Sequence, residues 1–319
     1  MPIFPAARAV EVFAPATIAN LGAGFDILGM AIEAPYDTIY AERTDEPGIF
    51  IDSVTGDGER LPRDPQQNTA GIAAQQVLDL LMIRESGVRL RIHKGLPLES
   101  GMGSSAASAA GAAIAVNALF GNSLRREELL PACVEAEAAV SGRHADNVAP
   151  ALLGGIVLIT GLTPESIYKL PVPENLVLAL VTPAVSVATA DARAALPDTI
   201  PLSTYVQQSA AVALLIAAIY SNDVRHMAQA MESDIIVEPA RQHLMPGLYE
   251  VREAAREAGA LGTIISGAGP TLCSICETSN VARLVAEAQA LVYASLDIAA
   301  STQITTPSRD GATMRVVEQ

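Results

Sequence analysis

The sequence predicts an α+β protein of two domains. Strand-like and helix-like patterns alternate along all 319 residues, without an internal repeat or a low-complexity tract. Hydrophobic residues make up 50% and charged residues 17%, a balance that builds packed cores and argues against disorder. Between Gly161 and Glu174 the pattern is broken by Pro164, Pro171 and Pro173. A boundary there divides the chain into domains 1–165 and 166–319.

Taken in order, Val10 to Ala14 and Thr38 to Glu42 read as strands. Asn68-Thr69 can cap a helix running to about Arg84. Val88 to His93 alternates polar and apolar residues with period two, as a half-buried strand does. Ser104 to Phe120 is Ala-rich and predicts a buried helix. Leu129 to Val140 predicts another, with Pro131 in its first turn or at a kink. Strands follow at Gly155 to Thr160 and Leu176 to Val181, then helices near Asp191 to Leu196, Ser203 to Tyr220 and Pro246 to Glu257. Gly262 to Ser266 and Thr271 to Cys276 are strands, Asn280 to Tyr293 is a helix, and strands end the chain.

Composition excludes several function classes. Net charge is −15, from 20 basic and 35 acidic residues, and aromatic residues are 4% with no Trp. Such a surface disfavours nucleic acid, and base-stacking platforms are not expected. The apolar runs Ala106 to Val116 and Ala210 to Ile219 are interrupted or about half a membrane span, so no membrane partner is expected. The stretch MPIFPAARAVEVF lacks a basic region followed by an apolar one, which reads as a cytoplasmic protein without an export signal. Cys133, Cys273 and Cys276 suit a reducing compartment. Cys273 and Cys276 lie three apart on a strand, where they point to opposite faces, so they read as structural. No histidine pair has HExxH spacing, and no protein-caged transition metal is expected.

The most informative stretch runs from Gly95 to Ser108: a strand, a glycine-rich turn, then the Ala-rich helix. This order points free backbone N–H groups at an anion. Gly101 and Gly103 permit close approach of a phosphate, and Ser104 and Ser105 stand in the first turn, where a hydroxyl can meet phosphate or Mg2+. No GxxxxGK[ST] occurs, so the turn is not a Walker P-loop. The GxG starts at Gly22 and Gly267 lack the third glycine of a dinucleotide site.

PLESGMGSSAAS, residues 97–108, resembles the phosphate loop of the GHMP kinases, with Met102 in place of the usual Leu. Pro15 to Asp26 resembles the N-terminal motif of the homoserine kinases within that superfamily, with Ala23 where they carry Pro. Ser266-Gly-Ala-Gly-Pro-Thr271 is similar to the third superfamily motif. Ser141 to Pro150, with Asp146-Asn147-Val148, and Glu238-Pro-Ala-Arg241 are similar to further homoserine kinase segments. The resemblance implies an N-terminal domain with a left-handed βαβ unit, a ferredoxin-like C-terminal domain, and a cleft between them where ATP and L-homoserine meet.

It also implies roles. ATP is expected on Pro97, Leu98, Glu99, Ser100, Gly101, Met102, Gly103, Ser104 and Ser105, with contacts from Asn68 and Lys94 unless these are a helix cap and a solvated strand end. Mg2+ is expected on Glu137 and Ser105, with Ser104 as the alternate to Ser105; Glu135, two residues earlier, faces away. Asn147 stands where mevalonate kinase has an Asp read as a base, and an amide accepts no proton at neutral pH. The implied transfer therefore has no dedicated base, and Asn147 orients the hydroxyl. Arg241 and Arg193 are expected on the substrate carboxylate, where either could also touch the γ-phosphate, with a surface salt bridge as the plainer alternative for each; Asp26 is expected on the ammonium or hydroxyl, and Asn20 on the substrate's other side. His144 is expected to fix its loop, and Asp146 to point elsewhere unless the backbone turns. A sugar- or mevalonate-type acceptor, or a silent metabolite-binding relative, are the alternatives, and a homodimer is left open.

Overall fold

The computed structural model describes residues 7–318; residues 1–6, part of the stretch read for an export signal, lie outside it. The chain opens with β1 (Ala9–Ala19) and the long β2 (Leu28–Thr44), an antiparallel pair. β3 (Gly48–Thr55), α1 (Thr69–Leu80) and β4 (Gly87–His93) follow, and β3 pairs with β4 in parallel, so α1 is the crossover of a βαβ unit. α1 stops four residues short of Arg84, because Met82 takes a left-handed conformation (φ 57°).

α2 (Ser104–Leu119) lies against β1 and β2 and is buried on every side from Ala106 to Leu119. That burial explains its alanines: small residues admit close approach all round. At Gly111 an added Cβ would come within 2.7 Å of Ile39. α3 (Leu130–Ala138) carries Pro131 in its first turn, and α4 (Val148–Leu153) and β5 (Ile156–Ile159) follow.

β6 (Ile167–Leu170) pairs with β5, and β5 with β2, so the first sheet continues past residue 165. The last strand, β11 (Thr313–Glu318), also returns to it by pairing with β1. The expected division at 165/166 is corrected on both counts. The proline segment contains the edge strand β6, and the crossing to the second sheet comes after Leu170. The N-terminal sheet is thus seven-stranded, ordered β11-β1-β2-β4-β3 with β5 and β6 off β2.

The second unit begins with β7 (Val177–Pro183), then α5 (Thr189–Ala194), α6 (Leu202–Tyr220), α7 (Val224–Glu232), α8 (Val237–Arg241) and α9 (Leu248–Glu257). β8 (Gly262–Ile265), β9 (Leu272–Cys276), α10 (Ser279–Ser295) and β10 (Ala300–Thr305) complete it. Its four-stranded antiparallel sheet has the order β10-β7-β9-β8. In chain order that is 4-1-3-2, the ferredoxin-like arrangement. Cys273 and Cys276 are free, buried thiols of β9.

α6 differs from its expectation. Its 19 residues carry no charge and are long and apolar enough, by length and composition alone, to cross a membrane. The apolar run legible in the sequence covers only Ala210 to Ile219, because Ser203, Thr204, Gln207, Gln208 and Ser209 interrupt it without adding charge.

Candidate functional site

The glycine turn leads straight from β4 into α2 and defines one wall of a cleft of about 490 Å³. Gly101 and Gly103 both take positive φ (78° and 68°), and Gly103 is the N-cap of α2. No side chain caps the helix, so its first-turn N–H groups are available to an anion. Leu98, Glu99, Ser100, Gly101, Gly103, Ser104 and Ser105 line the cleft. Pro97 and Met102, expected among the ATP contacts, do not: Pro97 accepts the Ser100 hydroxyl at 2.8 Å to close the turn, and Met102 is buried in the core.

The third motif meets this turn from the other unit. Ser266 Oγ donates to the Gly101 carbonyl at 2.7 Å, and the Thr271 N–H to the Ser100 carbonyl at 3.2 Å. A Cβ at Gly101 would stand 2.4 Å from the Ser266 carbonyl. Gly101→Ala is therefore expected to part the two loops and to raise KM for ATP about tenfold or more, through lost positioning. Steady-state kinetics in ATP check this.

Beneath the turn, Lys94 does something the sequence did not reveal. Its ammonium bonds to the Asp37 carboxylate, to the Ser104 carbonyl (2.7 Å) and to Ser108 Oγ (2.8 Å). All three of its hydrogens are taken and it is buried, so it is not a solvated strand end, and it lines the cleft from beneath the turn. Asp37, wholly buried, also accepts the Gly95 and Leu96 N–H groups at 3.0 and 3.1 Å. Asn68 caps α1, as expected in the alternative reading, and it also lines the cleft. Its oxygen accepts the Ala70 N–H at 3.0 Å and its amide donates to the Pro62 carbonyl at 2.8 Å.

Glu137 of α3 is buried against the cleft, with Oε2 accepting the Ser141 hydroxyl at 3.0 Å. The Ser105 hydroxyl lies beside the same carboxylate. Burial pushes the Glu137 carboxyl above the usual range, against these hydroxyls and the charge of Lys94. Its Oε1 and the Ser104 hydroxyl are buried with no hydrogen-bond partner among the described residues. Orphaned oxygens beside a phosphate-binding turn fit a hard cation such as Mg2+. Glu135 instead faces solvent and pairs with Arg143 at 2.7 Å.

The acceptor end is built from the loops after β1 and α3 and from α5 and α8. Asn147 Oδ1 accepts the Thr17 hydroxyl at 2.7 Å. Arg241, 3% exposed, donates through Nε to the Ala192 carbonyl (2.9 Å) and through Nη1 to the Gly267 carbonyl (3.0 Å), while its guanidinium lines the cleft. Its helix is anchored by Asp234, which accepts four groups including the Glu238 N–H (2.7 Å), and by the buried Glu238–Arg252 pair.

Asp26, expected on the substrate ammonium or hydroxyl, and Arg193, expected on its carboxylate, both line the cleft and pair with each other. Asp26 accepts from both terminal nitrogens of Arg193, at 3.0 and 2.7 Å, so its charge is compensated in place. Asn20, which also lines the cleft, braces the same loop, donating to the Gly267 carbonyl (3.0 Å) and accepting the Asp26 N–H (3.1 Å). These bonds have one physical cause. The left-handed turn at Asn20, Leu21, Gly22 and Asp26 directs these side chains across to the second unit.

Asp146 does not point elsewhere: it lines the cleft and has no ion pair among the described residues. Burial, aided by the negative charge of Asp26, pushes its carboxyl up to about 7. His144 lies in the same wall and is held below the usual histidine range by burial and by Arg193. Thr17, Asp37 and Ser108 carried no signal, since a buried polar residue in an apolar strand or helix is recognisable only once its partner is known.

The family pattern described as GHMP kinases N terminal domain matches residues 68–155, and that described as GHMP kinases C terminal matches 215–294. A homoserine kinase of Arabidopsis thaliana is 45% identical over 288 residues, 89% of this chain and 78% of the relative. One of Chlorobium phaeobacteroides (strain BS1) is 40% identical over 299 residues, 91% of this chain and 93% of the relative. The crystal structure of a homoserine kinase from Cytophaga hutchinsonii superposes with a TM-score of 0.93 at 39% identity, covering 99% of this chain and 100% of that one. A mevalonate kinase of L. major, at 18% identity and a TM-score of 0.70, shares the fold. With both patterns matched in order, and with this likeness running nearly end to end, the chain belongs to the GHMP kinase family, on its homoserine kinase branch.

Proposed function

We propose that the chain transfers the γ-phosphoryl group of ATP to the hydroxyl of L-homoserine, giving ADP and O-phospho-L-homoserine, a step of threonine biosynthesis. The observation that carries this reading is one cleft in which an uncapped helix N-terminus faces Asn147, Asp146 and Arg241. The triphosphate would rest on the amides of Ser100 to Ser105. Glu137 and Ser105 would hold Mg2+, leaving the Ser104 hydroxyl for a phosphate oxygen. Bound there, Mg2+ supplies charge neutralisation for the phosphates.

Arg241 presents its remaining N–H groups to the substrate carboxylate, and the Asp26–Arg193 pair closes the wall beside it. Asp146 is the acid in this wall without a cation, so it is the counterpart for the substrate ammonium. Asn147 orients the hydroxyl. In this reading a loose transition state needs positioning more than proton removal.

The pH dependence follows. Asp146 ionises in the free protein near pH 7, so kcat/KM for homoserine is expected to rise through about pH 7 as the carboxylate forms, while kcat stays flat. Its folded pKa lies above the ordinary carboxylate value. The folded form therefore binds the extra proton, and its stability falls as pH rises from about 4 to 7. In Asp146→Asn the pH break in kcat/KM should vanish, and the melting temperature should exceed wild type above pH 7 but not near pH 4. A break in kcat itself would make Asp146 a base and the transfer base-catalysed.

The activity is tested by coupled ADP release with homoserine, mevalonate and galactose as acceptors. Turnover with homoserine is expected; good turnover with another alcohol and none with homoserine overturns the assignment.

A further inference from the structure

We propose that Thr17 is a positioning residue that joins the phosphate turn to Asn147 and so sets how the acceptor hydroxyl approaches the phosphoryl group. This rests on the reading of Asn147 as the residue that orients that hydroxyl. Three segments distant in sequence meet at this one side chain. Thr17 lies in β1 just after the register shift at Pro15, and it is wholly buried. Its N–H donates to the Met102 carbonyl at 3.1 Å, which ties β1 to the middle of the phosphate turn. Its hydroxyl donates to Asn147 Oδ1 at 2.7 Å, across 130 positions. Gly103 packs onto the pair: a Cβ there would stand 2.1 Å from Thr17 Oγ1 and 2.7 Å from Asn147 Oδ1.

Asn147 sits at the N-cap of α4 without capping it, and Thr17 is the one side chain bonded to its amide among the described residues. A free amide can swing within the cleft; the bond to the buried Thr17 hydroxyl ties one end of it to β1, and in the structure that end is Oδ1. The Nδ2 end is then left for the cleft, as a donor to the lone pair of the incoming hydroxyl oxygen. The hydroxyl proton is left to face the phosphate. Because the same residue grips Met102, the amide and the phosphate turn hold a fixed separation. A misplacement of about 1 Å at this stage of a transfer costs on the order of 10²-fold in rate.

The test compares Thr17→Val, Thr17→Ala and Thr17→Ser with Asn147→Ala and the Thr17→Val/Asn147→Ala double variant, in the full chain with ATP and homoserine. Thr17→Val keeps shape and loses the hydroxyl. It should lower kcat at least about tenfold with KM for ATP within about twofold. Thr17→Ser, which keeps the hydroxyl, should stay near wild type. The double variant should be no slower than Asn147→Ala alone, since both changes remove one unit. If Thr17→Val lowers the melting temperature steeply, Thr17→Ala, which adds no bulk, carries the same comparison. A kcat unchanged in the hydroxyl-free variants, or a double variant whose loss is the product of the single losses, overturns the proposal while leaving Asn147 in place. Wild-type turnover by Asn147→Ala overturns the reading of Asn147 itself, and this proposal with it.

Discussion

Glu137→Gln is expected to lower kcat by about 10²-fold or more without lowering the melting temperature. The substitution keeps the shape and the acceptor oxygen that meets Ser141, and removes only the charge. In the protein without ligands that charge is a burden. Burial raises the Glu137 pKa, so the folded state is penalised at every pH above the ordinary carboxylate value, and a neutral amide relieves the penalty. In the loaded protein the same charge is what a divalent cation requires. Activity and stability should therefore move in opposite directions, which a mere packing role would not produce. Glu135→Gln, two residues away, removes a solvent-exposed pair with Arg143 and should leave the rate alone. Kinetics across Mg2+ concentrations together with thermal melts decide the matter. Near-normal rates for Glu137→Gln at all concentrations would strip Glu137 of its role.

The phosphate turn was readable because everything that makes it is local. A period-two strand, two glycines at required positive φ, and a small-residue helix all fall within Val88 to Leu119. The same holds for Pro131, whose place in a first turn follows from its missing N–H. β1 and β2 extend beyond their sequence signal for an equally physical reason. From Ala14 to Ala19, and from Leu28 to Ile32, both faces of the strands are covered, so no polar alternation marks them. β11 is exposed along its whole length, and its place beside β1 depends on a partner some 300 residues away.

The site divides the same way. Motif resemblance identified Asn20, Asp26, Arg193, Arg241 and Asn147, but not what each one grips. Asp26 and Arg193 stand 167 positions apart, and nothing in either neighbourhood indicates that they neutralise one another. Asp146 reads as aimed away from the cleft because its neighbour Asn147 occupies the obvious place. At a left-handed bend or a frayed helix start, consecutive residues can line one wall. The ferredoxin-like order and the βαβ crossover came from resemblance, whereas the return of β11 and the sheet membership of β6 came only from pairing.

Lys94→Met should destabilise the fold more than any other of these substitutions. It leaves the Asp37 carboxylate, wholly buried, without its cation. Breaking a buried pair from one side costs about 3–5 kcal/mol. In a unit of this size that corresponds to a fall of roughly 10 °C in melting temperature. The damage should not stay in the core. Lys94 also holds the Ser104 carbonyl, and Asp37 holds the Gly95 and Leu96 N–H groups, so the pair fixes both ends of the phosphate turn at once. KM for ATP should rise even where the variant is folded. The double variant Asp37→Asn/Lys94→Met separates the two effects. It removes both charges while keeping an acceptor for the Gly95 and Leu96 amides, so most of the lost stability should return. The hold on Ser104 does not return, so the rise in KM should persist. Equal melting temperatures for the single and double variants would show that the loss at Lys94 is packing and not an unpaired charge. A wild-type KM in both would mean that the turn keeps its shape without the ammonium beneath it.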